Sequence, residues 1–144
     1  MPAVADPGSS IVRAAHDLGI AVMPLVGPVS LLLALAASGM NGQNFAFVGY
    51  LPQSGPERAQ RMKELESIAL KTGQTQVFIE TPYRNAKLFA ELLQFLAPST
   101  KVYVGFNLTA SQEWSCTKTV GEWSATPLPP QLEAKAPAIW AIGR

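Results

Sequence analysis

Three short segments hold the residue types from which a site could be built. Residues 24–30, PLVGPVS, lead a strand-like stretch into a helix through Gly27. The first turn of a helix carries backbone N–H groups without internal partners, so Gly27, Val29 and Ser30 could face a ligand; an ordinary strand-to-helix connection has the same composition. Residues 80–84, ETPYR, put Glu80 and Thr81 where a strand ends and a helix begins, the usual crevice position of α/β sheets. Glu80 could bind a hydroxyl or a cation there, or simply pair with Arg84. Residues 107–109, Asn-Leu-Thr, lie with Glu113 at a strand-to-strand turn and read equally well as turn chemistry. The lone His16 reads as a solvated helix residue. The single Cys116 excludes an intrachain disulfide and a cysteine-based zinc site, so no metal is expected and a reducing, cytoplasmic setting is the default.

The elements that would carry these segments follow from periodicity and breakers. Asp6-Pro7-Gly8 is a turn, and Ser9 or Ser10 can cap a short helix that Gly19 ends. Residues 20–23 read as a short buried strand, and residues 29–38 as an apolar helix closed by Gly39, with Pro28 suited to its first turn. A strand over 45–49 precedes an amphipathic helix over 57–70, with Met62, Leu65, Ile68 and Ala69 inward and Arg58, Arg61 and Glu64 toward water. A strand over 76–79 leads to a helix begun by Thr81 and Pro82, with Ala86, Phe89, Leu92, Leu93 and Leu96 inward. Val102, Val104 and Phe106 alternate along a strand over 101–107, with 111–120 as its antiparallel partner across a tight turn, and 138–142 forms a last strand.

The chain has 144 residues, one domain's worth, with 48% hydrophobic and only 15% charged residues, against roughly 25% charged in ordinary globular proteins. Disorder is therefore excluded. A formal charge of +1 creates no global field for nucleic acid, so any RNA contact must be local. Charge is uneven: before Pro56 only Asp6, Arg13 and Asp17 are ionised, while residues 57–91 hold about half the charges. The uncharged run 20–38 is broken by Pro24, Gly27 and Pro28. Its unbroken part would make about 15 Å of helix against a ~30 Å hydrocarbon core, so no membrane span is expected. No basic segment precedes the run, which argues against a signal peptide.

The expected fold class is α/β: the end of a parallel α/β domain joined to a complete second α/β domain with a mixed sheet. The boundary falls between residues 1–44 and 45–144.

Taken in order, ADPG, PLVGPVSLLLALAASGM, FVGYLP, ERAQRMKEL, IETPYR and NLT resemble the tetrapyrrole-methylase superfamily of S-adenosylmethionine-dependent methyltransferases. Within it the series is most similar to the branch that methylates a ribose 2′-hydroxyl of small-subunit ribosomal RNA. The resemblance runs over nearly the whole chain, and its specificity lies in the series rather than in any one piece. It implies two α/β domains with the methyl donor in the cleft between them. Gly27, Val29 and Ser30 fall on the loop against the donor's adenosine part, Glu80 and Thr81 on a segment lining the cleft, and Leu108 at a backbone contact to the donor. The family's Gly-Pro-Gly and Asp-Ala-Gly segments are missing. That implies a C-terminal fragment, inactive by itself and probing the donor with half a site. A general base is expected for a hydroxyl acceptor, but no residue is assigned to that role.

Departures from the ribosomal branch bear on the acceptor. A basic pair is replaced by Gln53 and Ser54, a basic run is thinned to Arg58-Ala59-Gln60-Arg61, a His is Tyr83, and Glu-Leu-Thr-Lys becomes Asn107-Leu108-Thr109-Ala110. Each lost phosphate contact lowers RNA affinity through counterion release. Three readings stand: methyl transfer to ribosomal RNA, methyl transfer to a tetrapyrrole-like or other non-RNA acceptor, and a non-catalytic module. A cytoplasmic homodimer is expected, and the non-catalytic module would pair through the apolar first third.

Overall fold

Val102, Val104 and Phe106 alternate as their sequence predicts, and the strand that carries them is an interior strand of a five-stranded sheet in the computed structural model, which describes residues 1–53 and 55–144. Ser54, one of the positions where a basic residue is replaced, lies outside the described residues. The strands are β1 (Phe45–Tyr50), β2 (Thr75–Ile79), β3 (Lys101–Phe106), β4 (Trp114–Thr119) and β5 (Ala138–Gly143), in the order β1-β2-β5-β3-β4. Only β1 and β2 are parallel; the remaining neighbours are antiparallel, because the chain's last strand inserts between β2 and β3. The expected mixed α/β sheet is thus observed. Gly49, with φ 72°, supplies the left-handed residue of a bulge where the β1–β2 register slips. The connection between β3 and β4 spans residues 107–113 and is longer than the expected tight turn.

One face of the sheet holds the main core. Phe78, Val102, Val104, Phe106, Trp140 and Ile142 meet helices α3 (Gly55–Thr72) and α4 (Asn85–Phe95), with α5 (Val120–Ser124) and α6 (Pro130–Glu133) closing its end. Indole N–H groups inside this core are satisfied: Trp123 donates to the Val102 carbonyl at 2.9 Å, and Trp140 to Asn85 Oδ1 at 3.1 Å. A 3-10 turn, Pro82–Arg84, precedes α4 and rotates its buried stripe. Asn85 and Leu88 consequently point inward while Ala86, expected inside, is exposed.

On the opposite face α2 (Ser30–Ser38) lays Ala34 and Leu31 over Val77, Tyr103 and Ala141. Thr117 donates to the Ser38 carbonyl at 2.7 Å and ties the helix end to β4, and Gly39 closes it with φ 68°. Val29, not Pro28, precedes the first helical residue.

Two expectations for the first third are corrected. Residues 20–23 form no strand: Ile20, Val22 and Met23 are exposed, and no sheet strand runs beside them to satisfy their backbone groups. Helix α1 (Ser9–Asp17) begins after Gly8 without a side-chain cap, so neither Ser9 nor Ser10 serves as one. Among the described residues no helix is long and apolar enough to cross a membrane, and no His, Cys, Asp and Glu cluster suits a metal.

Candidate functional site

Strands β1, β2 and β3 all run the same way, so their carboxyl ends share one edge of the sheet; the register pairs Tyr50 with Ile79, Ile79 with Ile139 and Gly105 with Ile139. Helix α2 starts at this edge and runs back across the sheet. The edge therefore gathers the ends of three strands, the start of β5 and a helix N-terminus, which is where open α/β sheets present ligand crevices.

A hollow of about 300 Å³ lies there, lined by Ser30, Gly105, Asn107, Leu108, Ala110, Pro137, Ala138 and Ile139. It brings together two predicted site residues from distant parts of the chain, Ser30 and Leu108. The turn that carries Leu108 is unusual in backbone: Asn107 (φ 50°) and Thr109 (φ 71°) both occupy the left-handed region. Glu113 holds the turn by accepting from the Thr109 N–H. Val29 sits on the other side of α2, in an apolar hollow of about 230 Å³ with Leu31, Leu32, Phe47 and Val77. Gly27 lies in the exposed stretch ahead of α2 with no heavy atom near the position of a Cβ, so it lines neither hollow.

Glu80 and Thr81 reach the same edge, but the Glu80 side chain leaves on the opposite face. Strand alternation dictates this, since Val77 packs under α2 while Phe78, next along the strand and two before Glu80, joins the α3/α4 core. The buried carboxylate is fully engaged. Oε2 accepts from Arg58 Nη1 at 3.1 Å; Oε1 accepts from the Thr81 N–H at 2.7 Å and lies 3.2 Å from Arg84 Nε. Arg84 also donates to Thr81 Oγ1 at 2.8 Å and stacks over the Tyr83 ring. The pairing of Glu80 with Arg84 is present, within a larger network.

Arg58 is the main correction to the sequence reading. Expected in water, it is almost wholly buried and also donates to the Gln53 carbonyl at 2.8 Å. Its Nε lies 2.7 Å from Glu91 Oε2, an ion contact out of line for a hydrogen bond, and Nη2 finds no partner. The signal was in the spacing: Arg58, Met62, Leu65 and Ala69 recur on one helical stripe, and all four are buried. Ile68, expected inside, is exposed instead. Arg58 thus ties the start of α3, the end of β2 and α4 together beneath the edge.

Tyr103 and Gly105 were also not singled out by sequence. Tyr103 is fully buried on the α2 face, and its hydroxyl has no hydrogen-bond partner. Burial pushes the phenol above its ordinary range; the Ser115 hydroxyl on β4 partly offsets that rise, and the charge of Glu113 adds to it. A Cβ on Gly105 would overlap this hydroxyl and come within 3.0 Å of Leu108 Cδ2.

No family model matches the chain. Curated relatives do. The chain is 35% identical over 119 residues to "Ribosomal RNA small subunit methyltransferase I" of Mesorhizobium japonicum, covering 83% of this chain and 39% of the relative. It is 33% identical over 122 residues to the protein of the same name from Bacillus subtilis, covering 85% and 40%. The chain therefore spans about two fifths of these relatives' length. Among solved structures, the methyltransferase CobJ superposes with TM-score 0.61 at 17% identity, over 99% of this chain and 61% of that one. Uroporphyrin-III C-methyl transferase from Thermus thermophilus, complexed with S-adenyl homocysteine, gives TM-score 0.53 at 21% identity, over 99% and 62%. These two structures are likenesses of fold.

Proposed function

Given that the chain belongs to the tetrapyrrole-methylase family, we propose that it is the C-terminal part of an S-adenosylmethionine-dependent methyltransferase acting on small-subunit ribosomal RNA. Residues 1–44 would be the tail of the first domain and residues 45–144 the second. The observation that carries the reading is the meeting of Ser30 and Leu108 in one hollow at the carboxyl edge of the sheet.

The hollow suits a nucleoside. Leu108, Pro137, Ala138 and Ile139 offer an apolar wall for a purine face, while Ser30 and the turn backbone offer hydrogen bonds. S-adenosylmethionine, when bound, supplies an electrophilic methyl group on a sulfonium. The chain's own residues contribute position and exclusion of water: Ser30 and the Leu108 backbone hold the adenosine side, while Gly27 and Val29 lie outside this hollow and take no part in holding it. Glu80, neutralised by two guanidinium groups, acts by fixing the 80–81 backbone at the cleft rather than as a base. No residue here is assigned to take the acceptor's proton.

The acceptor reading follows the relatives' names. One observation favours the second reading, a small non-RNA acceptor: Arg58 and Arg84, the cations around Glu80 at the end of β2, are held by carboxylates and not free to meet phosphates. A cytoplasmic homodimer, with the apolar first third inside the pair, completes the proposal.

Two titrations test it. Calorimetry with S-adenosylmethionine should show far weaker binding to this chain than to one carrying the relatives' N-terminal domain ahead of it; equal micromolar affinity would refute the shared cleft. In that longer form, small-subunit ribosomal RNA should bind with a shallow salt dependence, and Gln60→Lys with Ala110→Lys should steepen the log–log slope by about one to two units without changing donor affinity. A steep slope in the unmodified protein would refute the loss of phosphate contacts.

A further inference from the structure

We propose that the Tyr103 hydroxyl is a specificity contact, donating a hydrogen bond to an acceptor atom of a nucleoside bound in the hollow between Ser30 and Leu108. The inference rests on the donor reading given above.

A buried hydroxyl with no partner costs about 1–3 kcal/mol of desolvation, so a fold retains one where something else compensates. Tyr103 is such a group: fully buried, with no hydrogen-bond partner. Its location is specific. The hydroxyl lies over Gly105, a residue that lines the hollow, close enough that a Cβ there would overlap it. Any other residue at 105 would push the phenol tip away, so the missing side chain makes the room for it. The side chain of Leu108, which lines the hollow, stands beside the hydroxyl, its Cδ2 3.0 Å from the Cβ position on Gly105. Leu108 belongs to the turn with two left-handed residues and is only half-buried, so its side chain can rotate aside as a ligand enters.

The chemistry of the group sets its direction. Burial disfavours the phenolate, so the oxygen keeps its proton and donates. A purine ring nitrogen or a ribose oxygen accepts such a bond; a sulfonium or an aliphatic chain does not. Removing the hydroxyl should therefore weaken nucleoside binding while leaving the ring's packing intact.

The test is an NMR titration of this chain and its Tyr103→Phe variant with S-adenosylhomocysteine and, separately, with adenosine, following the Ser30, Leu108 and Thr109 amides. Expected is a roughly three- to tenfold weaker affinity of Tyr103→Phe for both ligands, with a melting temperature equal to or above that of the unmodified chain. Equal affinity of the two proteins would overturn the Tyr103 contact and leave the donor site standing. A loss seen with S-adenosylhomocysteine but not with adenosine would overturn the nucleoside assignment. A lower melting temperature would show a structural hydroxyl, bonded to Ser115, and also overturn it; Ser115→Ala would then lower the melting temperature by the same amount. Unmoved Ser30 and Leu108 amides at millimolar ligand in the unmodified chain would overturn the placement of a nucleoside in this hollow, and the proposal with it, while the calorimetry of the longer form still decides the donor reading.

Discussion

Arg58 Nη1 stands 3.1 Å from Glu80 Oε2, and both side chains are almost entirely enclosed, with Glu91 from α4 as a second carboxylate on Arg58. Breaking a buried pair by removing one partner strands the other charge, at a cost of about 3–5 kcal/mol, whereas an exposed pair contributes about 0–1 kcal/mol. Arg58→Ala should therefore cost several times more stability than Arg61→Ala, whose pair with Glu64 is solvated. Urea denaturation of the two variants checks this, and a cost below about 1 kcal/mol for Arg58→Ala would show that water reaches the network.

Gly105→Ala should destabilise the fold by about 1–3 kcal/mol, because the added methyl overlaps the Tyr103 hydroxyl in a packed face. Combining it with Tyr103→Leu, which withdraws the phenol tip, should recover part of the loss. The coupling between the two positions, read from a double-mutant cycle, is the deciding quantity; additive effects would mean that the overlap is relieved elsewhere.

Helix α5 starts with a capping box in which the Thr119 backbone and side chain both donate to Glu122, and the Glu122 N–H donates back to Thr119. The backbone bond from Thr119, then its hydroxyl, hold the Glu122 carboxyl below the usual carboxylate range. A lowered folded pKa contributes stability that is present above the unfolded value and is lost as pH falls through the folded one. Acidification below about pH 4 should thus loosen α5 in the unmodified chain. Glu122→Gln should flatten that dependence, with the pH series of melting temperatures as the readout.

The chain should self-associate. Ile20, Met23, Leu25 and Val26 are exposed beside the outer side of α2, where Leu32 is also uncovered. Contiguous apolar surface beyond a few hundred Å² seldom stays uncovered, and at ~25 cal/mol per Å² its burial favours pairing by several kcal/mol before association costs. Sedimentation should show a dimer or larger species that Met23→Lys with Leu25→Lys converts to monomer. A clean monomer at high concentration in the unmodified chain would contradict this.

Local patterns in the chain were enough to locate most elements. Val102, Val104 and Phe106 announce β3 because strand side chains alternate, and Gly39 announces the end of α2 because a left-handed residue closes a helix there. The residue series from PLVGPVS to NLT was likewise sufficient for the family, and two of the residues it singles out, Ser30 and Leu108, line one hollow. What sequence could not decide were relations between distant residues. A charged residue is read as solvated unless its partners are known, and the partners of Arg58 come from β2 and α4. An apolar run such as residues 20–23 becomes a strand only where another strand offers its hydrogen bonds, and none does. The direction of Glu80 away from the hollow depends on the register of β2 under α2, and the room for the Tyr103 hydroxyl depends on Gly105 two residues along the same strand. Burial and partner choice are properties of the assembled sheet, so only the tertiary structure could fix them.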